Sequence, residues 1–175
     1  MAQPAARTPS PAASLRALLA KLDPALQKRF SAVRTAMRRR FPSANELVYD
    51  YRTFVVISYS PNEQPLDALA AISTRDGEVS VYLMSAKSLP DPRRLLQGSG
   101  KLARFFRVES ASELADPYVE SLFAAVVAAA KVPLAPTGKG RLLLRAGAAK
   151  AAPPSSAKPK PKAARKAASS RRSKS

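Results

Sequence analysis

Apolar residues recur along this chain in two rhythms. In PALQKRFSAVRTAMRRR, residues 24–40, Leu26, Phe30, Val33 and Met37 stand four, three and four positions apart. That spacing draws one apolar stripe down an α-helix. Asp23-Pro24 starts the helix: a carboxylate accepts from free N–H groups, and the N–H that proline lacks is not needed at the first helical position. Phe41-Pro42 ends it, because the residue before a proline disfavours helical dihedrals. In the second such segment, Val119, Leu122, Phe123, Val126 and Val127 fall at i, i+3, i+4, i+7 and i+8, a full core-facing stripe. Asp116-Pro117 opens that helix, and Ser110 with Glu113 stands at capping-box spacing just before it. A shorter helix is expected over residues 15–22, capped by Ser14.

Between the helices the rhythm changes to that of strands. LVYDY (47–51) and TFVVISY (53–59) are rich in β-branched and aromatic residues. LDALAAIST (66–74) is apolar without a deciding period, and the Asp76-Gly77 pair that follows assigns it to a strand. Asp-Gly between two apolar runs marks a tight hairpin, because both turn positions favour positive φ. The partner strand is EVSVYLM (78–84), with Val79, Val81 and Leu83 on one face. Asp91-Pro92 predicts a short helical turn inside LPDPRRLLQGSGK (89–101). KLARFFRV (101–108) reads as a further strand, with Leu102, Arg104, Phe106 and Val108 on one face and Phe105 on the other, under a helix. RLLLRAG (141–147) is an apolar run bracketed by basic residues and glycine, and reads as an edge strand laid back on the domain. The fold class is α+β, with helices packed on one face of an antiparallel sheet.

Three regions follow. Residues 1–12, of Ala, Pro and Ser, form a loose, disordered arm. Residues 13–150 form the folded part, with a linker and the edge strand in 131–150. Residues 151–175 form a disordered basic tail, too poor in apolar surface to offset its ordering entropy and repelled by its own like charges.

Charge sharpens this division. The 175-residue chain carries a formal +18. Residues 131–175 hold 13 Lys and Arg and no acid; residues 1–130 hold the other 17 basic residues and all 12 acidic ones, hence 17 − 12 = +5. There is no Cys and no His. Disulfides, thiolate or imidazole metal sites and Ser-His-Asp or Cys-His catalysis are therefore excluded. Arg16 and Lys21 interrupt the only apolar run near the N-terminus, which is too short for a signal peptide, and no stretch has the length of a membrane span. A cytoplasmic protein without a membrane partner is expected.

Candidate chemistry is sparse. GSGK (98–101) lacks the P-loop pattern: Leu95 stands where the first glycine belongs and Leu102 replaces the Ser or Thr. Gly98 and Gly100 serve instead to turn the chain. Arg38, Arg39 and Arg40 complement the dipole at a helix C-terminus and read as a solvated face. Tyr49, Asp50, Tyr51 and Arg52 are the densest polar-aromatic group; alternation puts the two tyrosines on one face and Asp50 with Arg52, read as an ion pair, on the other. The tail is different. AKPKPKAARKAASSRRSKS resembles the flexible basic arms of histone H1-like proteins. Lys158, Lys160, Lys162, Arg165, Lys166, Arg171, Arg172 and Lys174 are its candidate nucleic-acid contacts. Each cation near a phosphate releases condensed counterions without reading sequence, so the partner class is DNA, RNA or another polyanion.

LPDPRRLLQGSGKLARFFRVESASELADPYVESLFAAVV, with ELVYD (46–50), PNEQPLDALAAIS and TGKGRLLLRAGAAK (137–150), resembles the YdhG-like family of bacterial domains of unknown function, over roughly residues 14–150. The resemblance implies helices packed on an antiparallel sheet, and some members are described as frataxin-like iron chaperones. An iron donor needs clustered oxygen ligands. The candidates Glu46 and Asp50 are four apart in a strand, over about 12 Å, with Arg52 beside them, so no metal site is assigned. The leading expectation is a non-enzymatic interaction protein whose tail binds nucleic acid non-specifically, placing it at the nucleoid. The alternative is a small-molecule or metal (iron) binding domain with an incidental tail. No catalytic residue and no cofactor is assigned, and the folded part's own ligand carries no signature.

Overall fold

The computed structural model describes residues 9–85 and 89–145. It is an α+β fold: three α-helices, α1 (Pro11–Leu19), α2 (Pro24–Arg40) and α3 (Pro117–Ala128), and six strands, β1 (Asn45–Asp50), β2 (Val55–Ser60), β3 (Ala70–Ser73), β4 (Ser80–Met84), β5 (Ala103–Arg107) and β6 (Leu142–Arg145). The strands form one sheet in the order β5-β4-β3-β2-β1-β6. The first five make an antiparallel meander. The chain then runs through α3 to the far edge, where β6 pairs parallel to β1, Glu46 opposite Leu142 and Tyr49 opposite Arg145. The edge strand is therefore present and pairs within the chain; it makes the sheet mixed rather than purely antiparallel.

Period-two alternation sorts the strand residues between two cores. Val48, Val55, Ile57, Tyr59, Ile72, Val81, Leu83 and Phe106 face one way and meet Leu15 and Leu19 of α1, Phe30, Val33 and Met37 of α2, and Val119, Leu122, Phe123 and Val126 of α3. Leu47, Tyr49, Val56, Ala71, Tyr82 and Phe105 face the other way and form a second, smaller cluster. Among the described residues only strands and their loops contribute to it. Phe105 thus packs against Tyr82, ring centroids 5.2 Å apart, and not under a described helix.

The local signals act as their chemistry requires. Asp23 Oδ1 accepts from the Ala25 and Leu26 N–H groups, and Asp116 Oδ1 from that of Tyr118, each with proline at the first helical turn. The Ser110–Glu113 capping box closes on a 3-10 turn over Ala111–Ala115. Asp76 and Gly77 both take positive φ, 60° and 73°, and the Glu78 N–H donates to Arg75 O at 3.3 Å, a type I′ turn.

Four expectations are corrected. The first helix starts at Pro11, not residue 15: Ser10 is the cap, its Oγ accepting from the Ala13 N–H, and Ser10-Pro11 supplies the cap-then-proline start. Residues 11 and 12 therefore belong to the folded part. Asp91-Pro92 opens no helix. The Arg94 N–H donates back to Asp91 O and Arg94 then takes a φ of 52°, which breaks helical geometry; the Asp91 carboxylate accepts from the Leu95 and Leu96 N–H groups. Leu102 is 70% exposed, because β5 begins only at Ala103 and residue 102 lies outside the pleat. Val127 is 40% exposed at the rim of the α3 stripe, the side chain furthest round from the sheet.

Candidate functional site

The predicted contacts Lys158, Lys160, Lys162, Arg165, Lys166, Arg171, Arg172 and Lys174 all lie outside the described residues, as do residues 1–8 of the loose arm and the tail read as disordered. What is described is the point from which the basic segment departs: β6, ending at Arg145. Four residues of edge strand would hold poorly by themselves, and three further devices fix them. Gly140 crosses the end of β1 so closely that a Cβ there would stand 1.6 Å from Ala44 O, and its N–H donates to Pro42 O at 2.9 Å. The Arg141 N–H donates to Asn45 Oδ1 at 2.8 Å, while Arg141 O accepts from the Glu46 N–H at 2.8 Å. The Arg141 and Arg145 guanidinium groups both hold the Glu63 carboxylate, and Arg145 Nη2 also donates to Glu63 O at 2.9 Å.

Beside this anchor, Tyr49, Glu63, Gln64, Pro65 and Arg145 line a cavity of about 380 Å³. Tyr49 is only 8% exposed, and its ring stacks on Tyr51 with centroids 6.3 Å apart. Its hydroxyl and the Nε of Arg145 are both buried without a hydrogen-bond partner. Burial pushes the Tyr49 phenol above its ordinary pKa against the opposing pull of Arg145, so it keeps its proton and remains a donor. Asp50 and Arg52, read as an ion pair, are linked otherwise: the Arg52 backbone N–H donates to Asp50 Oδ1 at 2.8 Å, and Arg52 takes a φ of 67° at the tip of the β1–β2 turn. This is an Asx turn, which a short side chain makes with the backbone two residues on.

On the helical face the sequence reading missed a buried charge. Glu46 is 3% exposed, on the core side of β1 beside Val48. Arg34 grips it with two bonds, Nε to Oε1 at 2.8 Å and Nη2 to Oε2 at 2.7 Å, and Arg38 Nη1 adds a third at 3.0 Å. The Tyr59 hydroxyl reaches Oε1 at 3.4 Å. Burial, then the nearby carboxylate, push Tyr59 well above its ordinary pKa. Burial works against the Arg34 charge, but the bonds and attraction to Glu46 outweigh it and raise its pKa. The signal was available: a glutamate at a core-facing strand position, and two arginines four apart on the helix before it. The 38–40 arginine run is accordingly not a plain solvated face. Arg38 holds Glu46, and Arg40 pairs with Glu120 and lies 5.0 Å over the Phe123 ring; Arg39 is exposed.

A second phenol–carboxylate pair sits where residues 89–96 meet α3. The Tyr118 hydroxyl donates to Asp91, and Arg93 lies over the Tyr118 ring. Burial opposes the Asp91 charge, but that bond and the Leu96 and Leu95 N–H groups prevail and hold its pKa below the ordinary value. A cavity of about 510 Å³ opens beside it, floored by Leu95, Phe106 and Val119. Gly98, in the GSGK stretch, takes a φ of 94°, and its carbonyl accepts from Arg104 Nη1 at 2.6 Å. It turns the chain into β5. Among the described residues no three carboxylates come together as a metal would require, and no helix is long and apolar enough to cross a membrane.

The chain matches no known protein family, no curated protein and no solved structure.

Proposed function

We propose that this is a non-enzymatic, YdhG-like binding protein that a basic C-terminal segment tethers to DNA or RNA, at the nucleoid, without sequence selection. One observation carries the reading: the positive charge beyond β6 has no acidic counterpart within the chain. Residues 146–175 hold nine Lys and Arg and no acid. Eleven of the twelve carboxylates of the folded part, all but the exposed Asp76, are already engaged. Glu46, Glu63, Glu78, Glu109, Asp116 and Glu120 are paired with arginines. Asp23, Asp50, Asp67, Asp91 and Glu113 accept hydrogen bonds from backbone or side-chain groups. Residues 1–145 themselves hold 21 Lys and Arg against 12 acids, 21 − 12 = +9, so they carry no net negative charge to neutralise the basic segment, and its charge is available to an external polyanion.

Binding of random-sequence duplex DNA over a salt series, read by fluorescence anisotropy, tests this. The full chain is expected to lose affinity steeply, with a log–log slope approaching about −7 if the eight cations of residues 151–175 all sit at phosphates, at about 0.9 per contact. A chain ending at Lys150 should lose most of the affinity and most of the slope. Equal binding by the two chains would refute the proposal.

A further inference from the structure

We propose that the cavity between β1, β6 and the 63–65 loop is a binding site for a small oxyanion, a carboxylate or a phosphate, received by the Tyr49 hydroxyl and the Nε–H of Arg145. The proposal stands apart from the nucleic-acid reading, since neither residue belongs to the basic segment beyond Arg145.

Two of the residues that line this cavity each carry a buried donor without an acceptor: the Tyr49 hydroxyl, on a side chain more than nine-tenths buried, and the Nε–H of Arg145. Buried donors left without an acceptor are rare in folded proteins, because each has given up its water and received nothing in return. Both can donate in their present state, the phenol holding its proton and the guanidinium being always charged and without an acceptor of its own. What completes them is an acceptor with several lone pairs in a compact group. Charge selects among acceptors. Arg145 and Glu63 are the ionised side chains that line the cavity; Arg141, outside the lining, is bonded to the same Glu63 carboxylate, so this cluster of two guanidinium groups and one carboxylate carries a surplus of +1. A cation is therefore repelled, and a neutral carbonyl leaves the surplus uncompensated. An oxyanion accepts from both donors and compensates the charge, and a hydrogen bond from a guanidinium to an anionic oxygen is stronger than one between neutral groups. The cavity's 380 Å³ admits either group on a small molecule. Glu63 already occupies Arg145 Nη2, so the ligand takes the single Nε–H and need not displace the ion pair that anchors β6.

The test uses the full chain, with arginine Nε–H and backbone resonances followed by NMR. Inorganic phosphate and acetate are added separately, at ionic strength held constant with chloride. A saturable shift of the Arg145 Nε–H with phosphate or acetate, and none with chloride, is expected; the tighter of the two tells whether the natural ligand carries a phosphate or a carboxylate. Tyr49→Phe keeps the ring stacked on Tyr51 and removes one donor, and should weaken binding about tenfold, the effect of one hydrogen bond to a charged group. In anion-free buffer the same variant should melt at or above the temperature of the parent, since it deletes a buried donor that has no partner; that result separates a binding role from a structural one. Arg145→Lys, which keeps the charge and loses the Nε–H, should also weaken binding. Loose attraction of phosphate to the basic tail would be unchanged by Tyr49→Phe. No saturable shift with either anion, or equal affinity in the parent and both variants, would overturn the proposal.

Discussion

Replacing Gly140 by alanine tests how the basic segment is rooted in the domain. At this residue the backbone passes so near β1 that a Cβ would stand 1.6 Å from Ala44 O, 2.2 Å from Ala44 C and 2.9 Å from Asn45 N. Carbon and oxygen settle at about 3.3 Å, so the strands must part by about 1.7 Å. The neighbours are backbone atoms of a paired strand and cannot swing aside as a flexible side chain would. Three hydrogen bonds cross this junction, at 2.9, 2.8 and 2.8 Å: Gly140 N–H to Pro42 O, Arg141 N–H to Asn45 Oδ1, and Glu46 N–H to Arg141 O. A displacement of that size carries all three beyond bonding distance. At about 0.5–1.5 kcal/mol each, their loss amounts to about 1.5–4.5 kcal/mol. Against it stands the smaller unfolded-state entropy of alanine, about 0.4–1 kcal/mol in favour of the variant. The Gly140→Ala variant should therefore be less stable by about 1–4 kcal/mol in urea unfolding. The Glu46 amide, which donates to Arg141 O, should lose protection against hydrogen exchange, while amides at the β3–β4 pairing keep theirs. DNA binding by the tail should persist, because its cations remain covalently attached. An unchanged urea midpoint together with an unchanged Glu46 amide would refute the account of how β6 is seated.

Glu46→Gln should destabilise the domain by about 3 kcal/mol in urea, at the low end for a broken buried ion pair because Arg38 is half exposed, and Glu46→Leu combined with Arg34→Met should recover most of that loss. Phe106→Ala should lower stability by about 3–5 kcal/mol, whereas Leu102→Ala, on a side chain 70% exposed, should stay within about 0.5 kcal/mol; the two residues stand four apart on one strand-like run, so the contrast checks where β5 begins. The Asp91 carboxyl is held below its ordinary value, so the stabilisation it gives is present above the unfolded value near pH 4 and is lost as pH falls through the folded one. Tyr118→Phe should move the Asp91 titration back up toward the ordinary value in carboxyl-carbon NMR; a titration that stays put would show that the hydroxyl does not hold it.

Legibility in the sequence followed the range of the interaction. The stripe of Phe30, Val33 and Met37, the caps at Asp23 and Asp116, the Ser110–Glu113 box and the Asp76-Gly77 turn are set by neighbours within four residues, and each stands where the pattern placed it. The uneven charge, with every acidic residue before position 131, is a property of the sequence itself. Other features depend on residues brought together from far apart. Glu46 is gripped by arginines 12 and 8 positions earlier on another element, Arg141 bonds to Asn45 across 96 residues, and Arg145 reaches Glu63 across 82. Local periodicity has no term for such pairs. The same holds for the parallel seat of β6, which depends on the bare backbone of Gly140 fitting against Ala44, and for Tyr49, whose strand position was plain but whose unpartnered hydroxyl beside Arg145 was not. The chain's own pattern determined which segments become helix or strand and where the charge collects. Only packing decided which charges are buried together and which donors are left without a partner, because those outcomes depend on distances between elements that the linear order does not contain.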